Sequence, residues 1–179
     1  MITVYLSHGL ESGPGAFKVQ TMKTLVEAHD ECAAVVMDYR GMAEPEERLA
    51  HLLDTLASRH DDPARCIMVG SSLGGWVSAA LSSTHPVLGC FLLAPAIGLP
   101  RYPQSCPRLQ AEHSHIVHGW RDDVIPVDGV IDYARTQRLS LRLVDDDHRL
   151  HLSMPTILQD LGAFLDVCHS KALPLKDDL

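Results

Sequence analysis

Apolar, β-branched runs alternate along the chain with segments of helical period. Ile2–Leu6, Ala33–Met37, Cys66–Val69, Val87–Leu93, Ile116–Val117 with its flanks, and Leu139–Val144 read as strands. Most are continuous apolar runs, the pattern of strands covered on both faces in a parallel sheet. The clearest helix is predicted from Pro45, where Leu49, Leu52, Leu53, Leu56 and Ala57 fall at helical spacing. Pro45 suits a first helical turn, and Glu46 and Glu47 complement the positive end of the helix there. A last helix is predicted to start around Ser153–Pro155 and to bury Ile157, Leu158, Leu161 and Leu165. Such alternation predicts an α/β fold, with a parallel sheet and helices on both sides. No repeat, low-complexity tract or linker divides the chain, so one domain over residues 1–179 is expected. Pro95, Pro100, Pro103 and Pro107 exclude a helix or central strand between them and predict a loop bordering a pocket.

Composition narrows the classes. With 15 Lys+Arg against 23 Asp+Glu, the net charge is −8 and there is no basic run, which disfavours a nucleic-acid partner. No apolar stretch reaches the roughly 20 residues needed to cross a bilayer. Met1–Leu6 lacks the basic and small-residue features of a secretory signal. Five scattered cysteines, Cys32, Cys66, Cys90, Cys106 and Cys168, read as reduced thiols and not as a disulfide framework. The expectation is a cytoplasmic protein with no membrane partner. Lys176–Leu179 reads as a frayed, solvated tail, and nothing in the sequence signals an oligomeric state.

In open α/β sheets the ligand site lies at the carboxyl ends of the strands. There, Cys66–Val69 runs into Gly70-Ser71-Ser72-Leu73-Gly74-Gly75 and then a helix-compatible segment. This is G-x-S-x-G in a strand–turn–helix setting, with Ser72 as the candidate nucleophile. A serine held on so sharp a turn brings the chain on either side into close approach, which Gly70 and Gly74 permit. The alternatives are a turn that serves packing alone, and Ser71 as the reactive hydroxyl. A serine hydroxyl needs a histidine to accept its proton and a carboxylate to orient that histidine. Two later strands open into suitable loops, His118-Gly119-Trp120-Arg121-Asp122-Asp123-Val124-Ile125-Pro126 and Asp145-Asp146-Asp147-His148-Arg149-Leu150.

In these motifs and their order, the chain resembles the α/β-hydrolase superfamily, over nearly its whole length. Within it, the small size and the short H-G opening look most like small, cap-less YqiA-like predicted esterases. The resemblance implies a three-layer α/β-hydrolase fold with a minimal, mostly parallel sheet of about six strands and no cap domain. H-G-x-x-D-x-x-[VI]-P is the family's acid loop and makes Asp122 the carboxylate, with Asp123 the competitor; D-H-R-L makes His148 the base, with His151 the alternative. Ser7-His8-Gly9-Leu10-Glu11-Ser12-Gly13 corresponds to the oxyanion loop, with the amides of Leu10 and Leu73 as donors, or it is a plain strand-to-helix connection. Glu11 would oppose an oxyanion unless it points away. Asp145, Asp146 and Asp147 fit loop solvation or tuning of His148. His113 and His115 share one strand face and His118 the other, which argues against a zinc site.

The implied activity is that of a serine hydrolase, a carboxylesterase or thioesterase acting on a small acyl ester without metal or cofactor. The short proline-rich interval leaves little room for a lid, which favours short acyl groups. The same motifs admit a peptidase or acyltransferase, and the fold admits a binding protein without catalysis. A dehalogenase is disfavoured because serine, not aspartate, holds the nucleophile position.

Overall fold

The apolar runs become strands because helices cover both faces of the sheet they form. In the computed structural model, which describes residues 1–172, the strands are β1 (Ile2–Ser7), β2 (Cys32–Val36), β3 (Cys66–Ser71), β4 (Val87–Leu93), β5 (Ala111–Gly119) and β6 (Ser140–Val144). They pair in the order β2-β1-β3-β4-β5-β6, and every pair is parallel. The helices are α1 (Phe17–Glu27), α2 (Pro45–Arg59), α3 (Leu73–Thr84), α4 (Val127–Gln137) and α5 (Met154–Ala172).

Strand alternation sorts the core into two layers. Tyr5, Met68, Cys90, Leu92 and Ile116 point to one face, where α2, α3 and α4 cover them. Val4, Leu6, Ile67, Val69, Phe91, Leu93 and Val117 point to the other, against α1 and α5. The last helix buries Ile157, Leu161 and Leu165 as its spacing predicts, with Leu158 partly buried. In α2, Leu52 and Leu56 are buried and Leu49 and Leu53 partly so, but Arg48 is buried beside them. Periodicity alone does not anticipate a buried arginine.

The register aligns the strand ends. Ser7 pairs with Gly70, Ser71 with Leu93, Leu93 with Val117, and Gly119 with Val144. The loops after β1, β3, β5 and β6 therefore leave one edge of the sheet side by side. Pairing of Gly70 and Ser71 extends β3 beyond the expected Val69, and β5 starts at Ala111, well before the expected Ile116–Val117. Residues 94–110 form neither helix nor strand, and no cap domain interrupts the fold there. This segment instead lies over α3. Trp76 Nε1 donates to the Gln104 carbonyl at 2.7 Å, and the Trp76 and Tyr102 rings lie 5.4 Å apart.

All five cysteines are free, and no helix among the described residues is long and apolar enough to cross a membrane. The C-terminal tail expected to be frayed lies outside the described residues.

The closest backbone approach is at Gly74, where a Cβ would stand 2.1 Å from the Ser7 carbonyl oxygen. Backbone on both sides leaves no flexible group to yield, so Gly74→Ala is expected to cost about 3 kcal/mol or more. In a chain of this length that lowers Tm by roughly 6–12 °C. Gly162→Ala, in α5 with nothing within 4 Å of its Cβ, is expected to raise stability by up to about 1 kcal/mol. Thermal unfolding of the two variants beside the parent checks the contrast.

Candidate active site

Ser72 stands between β3 and α3 with φ 55° and ψ −119°, a conformation that side-chain-bearing residues rarely adopt. A left-handed non-glycine residue of this kind costs on the order of 1–3 kcal/mol and persists only where its surroundings hold it. Here they do. The Ser72 amide donates to the Leu93 carbonyl at 2.9 Å, and its carbonyl accepts from Gly75, Trp76 and Ala96 at 3.0, 3.2 and 3.0 Å. A Cβ on Gly70 would meet the Gly74 carbonyl oxygen at 2.2 Å, so the two glycines flanking the serine touch each other across the turn.

The three residues of the motif reading come together in one chain of hydrogen bonds. His148 Nε2 lies 2.9 Å from Ser72 Oγ, and His148 Nδ1 lies 2.8 Å from Asp122 Oδ2. An ionised Asp122 accepts the Nδ1 proton, which leaves Nε2 free to accept from the serine hydroxyl. The Asp122 side chain is fully buried, and Oδ1 accepts the Val124 and Ile125 amides at 2.9 and 2.8 Å. Burial pushes its pKa up, but the hydrogen bonds from His148 and the two amides outweigh that and hold the carboxyl below its ordinary range. Asp123 is exposed, as is His151, and neither reaches the chain. Ser71 is occupied elsewhere, its Oγ accepting from Lys18 Nζ at 3.2 Å.

The loops that carry Asp122 and His148 touch through Gly119. A Cβ there would meet the Asp146 carbonyl oxygen at 2.4 Å, and that carbonyl accepts the Arg121 amide at 3.0 Å. The three loop aspartates act locally. Asp146 is buried and accepts the Asp147 and Ser153 amides, each at 2.8 Å, and Asp147 accepts the Arg149 amide. Asp145 is an exposed partner of Arg121 at 2.8 Å.

On the third side, the β1 loop passes directly beside Ser72, where a Cβ on Gly9 would lie 3.4 Å from the serine Cβ. Among the described residues the Leu10 and Leu73 amides have no protein acceptor. Leu73 opens α3, so its N–H belongs to the positive end of that helix. Glu11 is exposed and makes no ion pair among the described residues. Leu10 and Trp120 stand at the surface, 50% and 55% exposed, whereas Trp76 is buried in the core.

Spacing did not single out several groups at this site. His118 is fully buried, with Nε2 donating to the Ile125 carbonyl at 3.1 Å and 3.4 Å from Asp122 Oδ2. It thus braces the acid loop from behind, a role its H-G position could have signalled. Lys18, on α1, has its pKa lowered to about 8 by burial, against the pull of Asp146, Asp147 and Asp122. Arg48 contacts the β1 loop from α2. His115 faces away from His118, bonded to Ser140 and Asp160. No group of three metal-ligating side chains converges among the described residues.

A family model for an uncharacterised protein family, UPF0227, matches residues 2–118, from β1 through the Ser72 turn to the end of β5. The chain belongs to UPF0227. This agrees with the YqiA-like resemblance. A proposed hydrolase of the alpha/beta superfamily from Xanthomonas campestris pv. campestris is 29% identical, with a TM-score of 0.81 over 93% of this chain and 99% of that one. The ydeN gene product of B. subtilis matches at 18% identity and a TM-score of 0.77, over 95% of this chain and 100% of its own. Est1E from Butyrivibrio proteoclasticus matches at 16% and 0.75, over 94% and 88%. At those last two identities the likeness is one of fold. The UPF0227 chain is thereby an α/β-hydrolase superfamily member; a search of curated proteins finds no match.

His8 and His118 of this UPF0227 chain are 1% and 0% exposed, and burial lowers the pKa of each. The unfolded chain, with histidines near their ordinary 6.5, therefore binds more protons than the folded one as pH falls through that value. Stability should be fully present above about pH 7 and decline towards pH 5, by up to about 1.4 kcal/mol per pH unit for each histidine. Urea unfolding at several pH values checks this, and His118→Asn should flatten the slope. Stability that is constant or rises on acidification would contradict the assignment of neutral, buried imidazoles.

Proposed function

We propose that the protein is a serine hydrolase that cleaves small acyl esters or thioesters through an acyl-enzyme on Ser72. The observation that carries this reading is the unbroken chain from Ser72 Oγ through His148 to Asp122, at 2.9 and 2.8 Å. As Ser72 Oγ attacks the carbonyl carbon, His148 Nε2 takes its proton, and buried Asp122 stabilises the imidazolium and holds its tautomer. The carbonyl electrons pass to an oxyanion that the Leu10 and Leu73 amides are free to bind. His148 returns the proton to the departing alcohol or thiol. Water, deprotonated by the same imidazole, then releases the acid and restores Ser72.

For the substrate, the argument is one of space and fold. The segment where larger relatives carry a lid is here the loop over α3, so we read the site as open and suited to short acyl groups. Structural neighbours include the esterase domain of a Rhodothermus marinus protein and Est1E with ferulic acid bound, which supports carboxylic esters as the class. We read the protein as needing no metal or cofactor for this chemistry, and as acting on small molecules in the cytoplasm.

A fluorophosphonate should add once to the native protein, by intact mass, and not to Ser72→Ala. No adduct on folded native protein would instead favour a binding protein built on this fold. Asp122→Asn should retain the fold and lower kcat about 10⁴-fold. In an ester panel, acetyl and butyryl substrates should exceed octanoyl in kcat/KM; the reverse order would overturn the short-acyl reading.

A further inference from the structure

Arg48 is 2% exposed and has no carboxylate partner among the described residues. Its hydrogen bonds all go to main-chain carbonyls: Nε to Met42 at 2.8 Å, and one terminal nitrogen to His8 at 3.0 Å and to Gly9 at 3.3 Å. The Tyr39 ring lies 5.0 Å from the guanidinium carbon. A buried cation is a poor way to stabilise a fold, since a well-packed apolar side chain of similar volume often serves as well or better. Its placement therefore points to the loop it holds.

That loop is the β1 connection beside Ser72. The Gly9 carbonyl oxygen lies within hydrogen-bond distance of three donors, Arg48 at 3.3 Å, His8 Nδ1 at 2.8 Å and Ser12 Oγ at 3.3 Å. The His8 tautomer is set by the backbone, because the Tyr39 amide donates to Nε2 at 3.0 Å and the proton must sit on Nδ1. Burial, with the Arg48 charge in support, keeps that imidazole neutral. In a planar trans peptide the C=O and the following N–H point in opposite directions. Holding the Gly9 oxygen on these donors therefore fixes the Leu10 N–H in the opposite direction. Gly9 packs against Ser72 and Ser71 at 3.4 and 3.5 Å from where its Cβ would be.

We propose that Arg48 is a positioning residue for the oxyanion: it locks the Gly9–Leu10 peptide with its N–H presented to the reacting carbonyl, and its uncompensated charge supports the developing negative oxygen. The inference rests on the serine-hydrolase reading and deepens it. The charge acts through the loop and does not touch the substrate, so its effect belongs to the transition state more than to ground-state binding.

The test uses the full chain and p-nitrophenyl acetate, with fluorophosphonate labelling of the unmodified protein in parallel. Arg48→Gln is expected to lower kcat about 10- to 100-fold, below the full 10²–10³ for deleting an oxyanion donor, with KM changed less than about 3-fold. The Ki of a trifluoromethyl ketone should rise in step with the loss in kcat/KM. That inhibitor takes the Ser72 oxygen at its carbonyl carbon, places the electron pair on its own oxygen and passes the serine proton to His148. Arg48→Lys, which keeps the charge but loses the fork, should fall between Arg48→Gln and the parent. If Arg48→Gln fails to fold, Arg48→Lys decides together with Ser12→Ala, which removes only one donor to the Gly9 carbonyl and should lower kcat 2- to 5-fold. Folded variants with unchanged kcat and Ki, on a protein that takes the fluorophosphonate, would overturn the role of Arg48 alone. A parent that takes no fluorophosphonate would overturn the hydrolase reading and this inference with it.

Discussion

The Ser7 carbonyl at the end of β1 and Gly74 in the first turn of α3 meet with no room for a single carbon atom between them. That contact sets how far α3 can sit from the sheet, and so where the turn between β3 and α3 must stand. Ser72 occupies the turn in a left-handed conformation that an isolated chain would leave at once. It stays because its amide is bonded to β4 and its carbonyl to both α3 and the segment after β4. The strain is thus supported by the central strands of the sheet, the part of a parallel α/β core where local opening is rarest.

A second close approach joins the other two proposed members of the site. Gly119 lets the acid loop pass against the Asp146 carbonyl, and Asp146, buried with its carboxylate capping two amides, shapes the loop that bears His148. Geometry and electrostatics act together here. Removing Asp122 from water would favour its neutral form, but the hydrogen bonds from His148 and two backbone amides outweigh that and hold it ionised. An ionised, dry carboxylate beside an imidazole is what the proposed proton transfer requires.

Much of this was legible in the linear pattern. The six apolar runs and the helix at Pro45 follow from local periodicity, and parallel pairing follows from their continuous hydrophobicity. Ser72 is readable because glycine is the one residue that tolerates the approaches around it, so the constraint is written into Gly70 and Gly74. Asp122 over Asp123, and His148 over His151, rest on likeness to a family's loops, since spacing alone allows either neighbour to face the serine.

The tertiary structure alone decided the rest. The strand order and register bring residues 9, 72, 122 and 148 to one edge, and no local propensity encodes the distance between loops so far apart in sequence. Arg48 and His118 read as an ordinary helix-surface cation and a strand histidine until their partners are known. Burial and hydrogen-bond direction are properties of the assembled neighbours, not of the residue. What the sequence determined by itself was the set of elements and the one turn whose sterics demand glycine. Which distant loops stand beside that turn was settled by packing, which joins groups the chain order keeps apart.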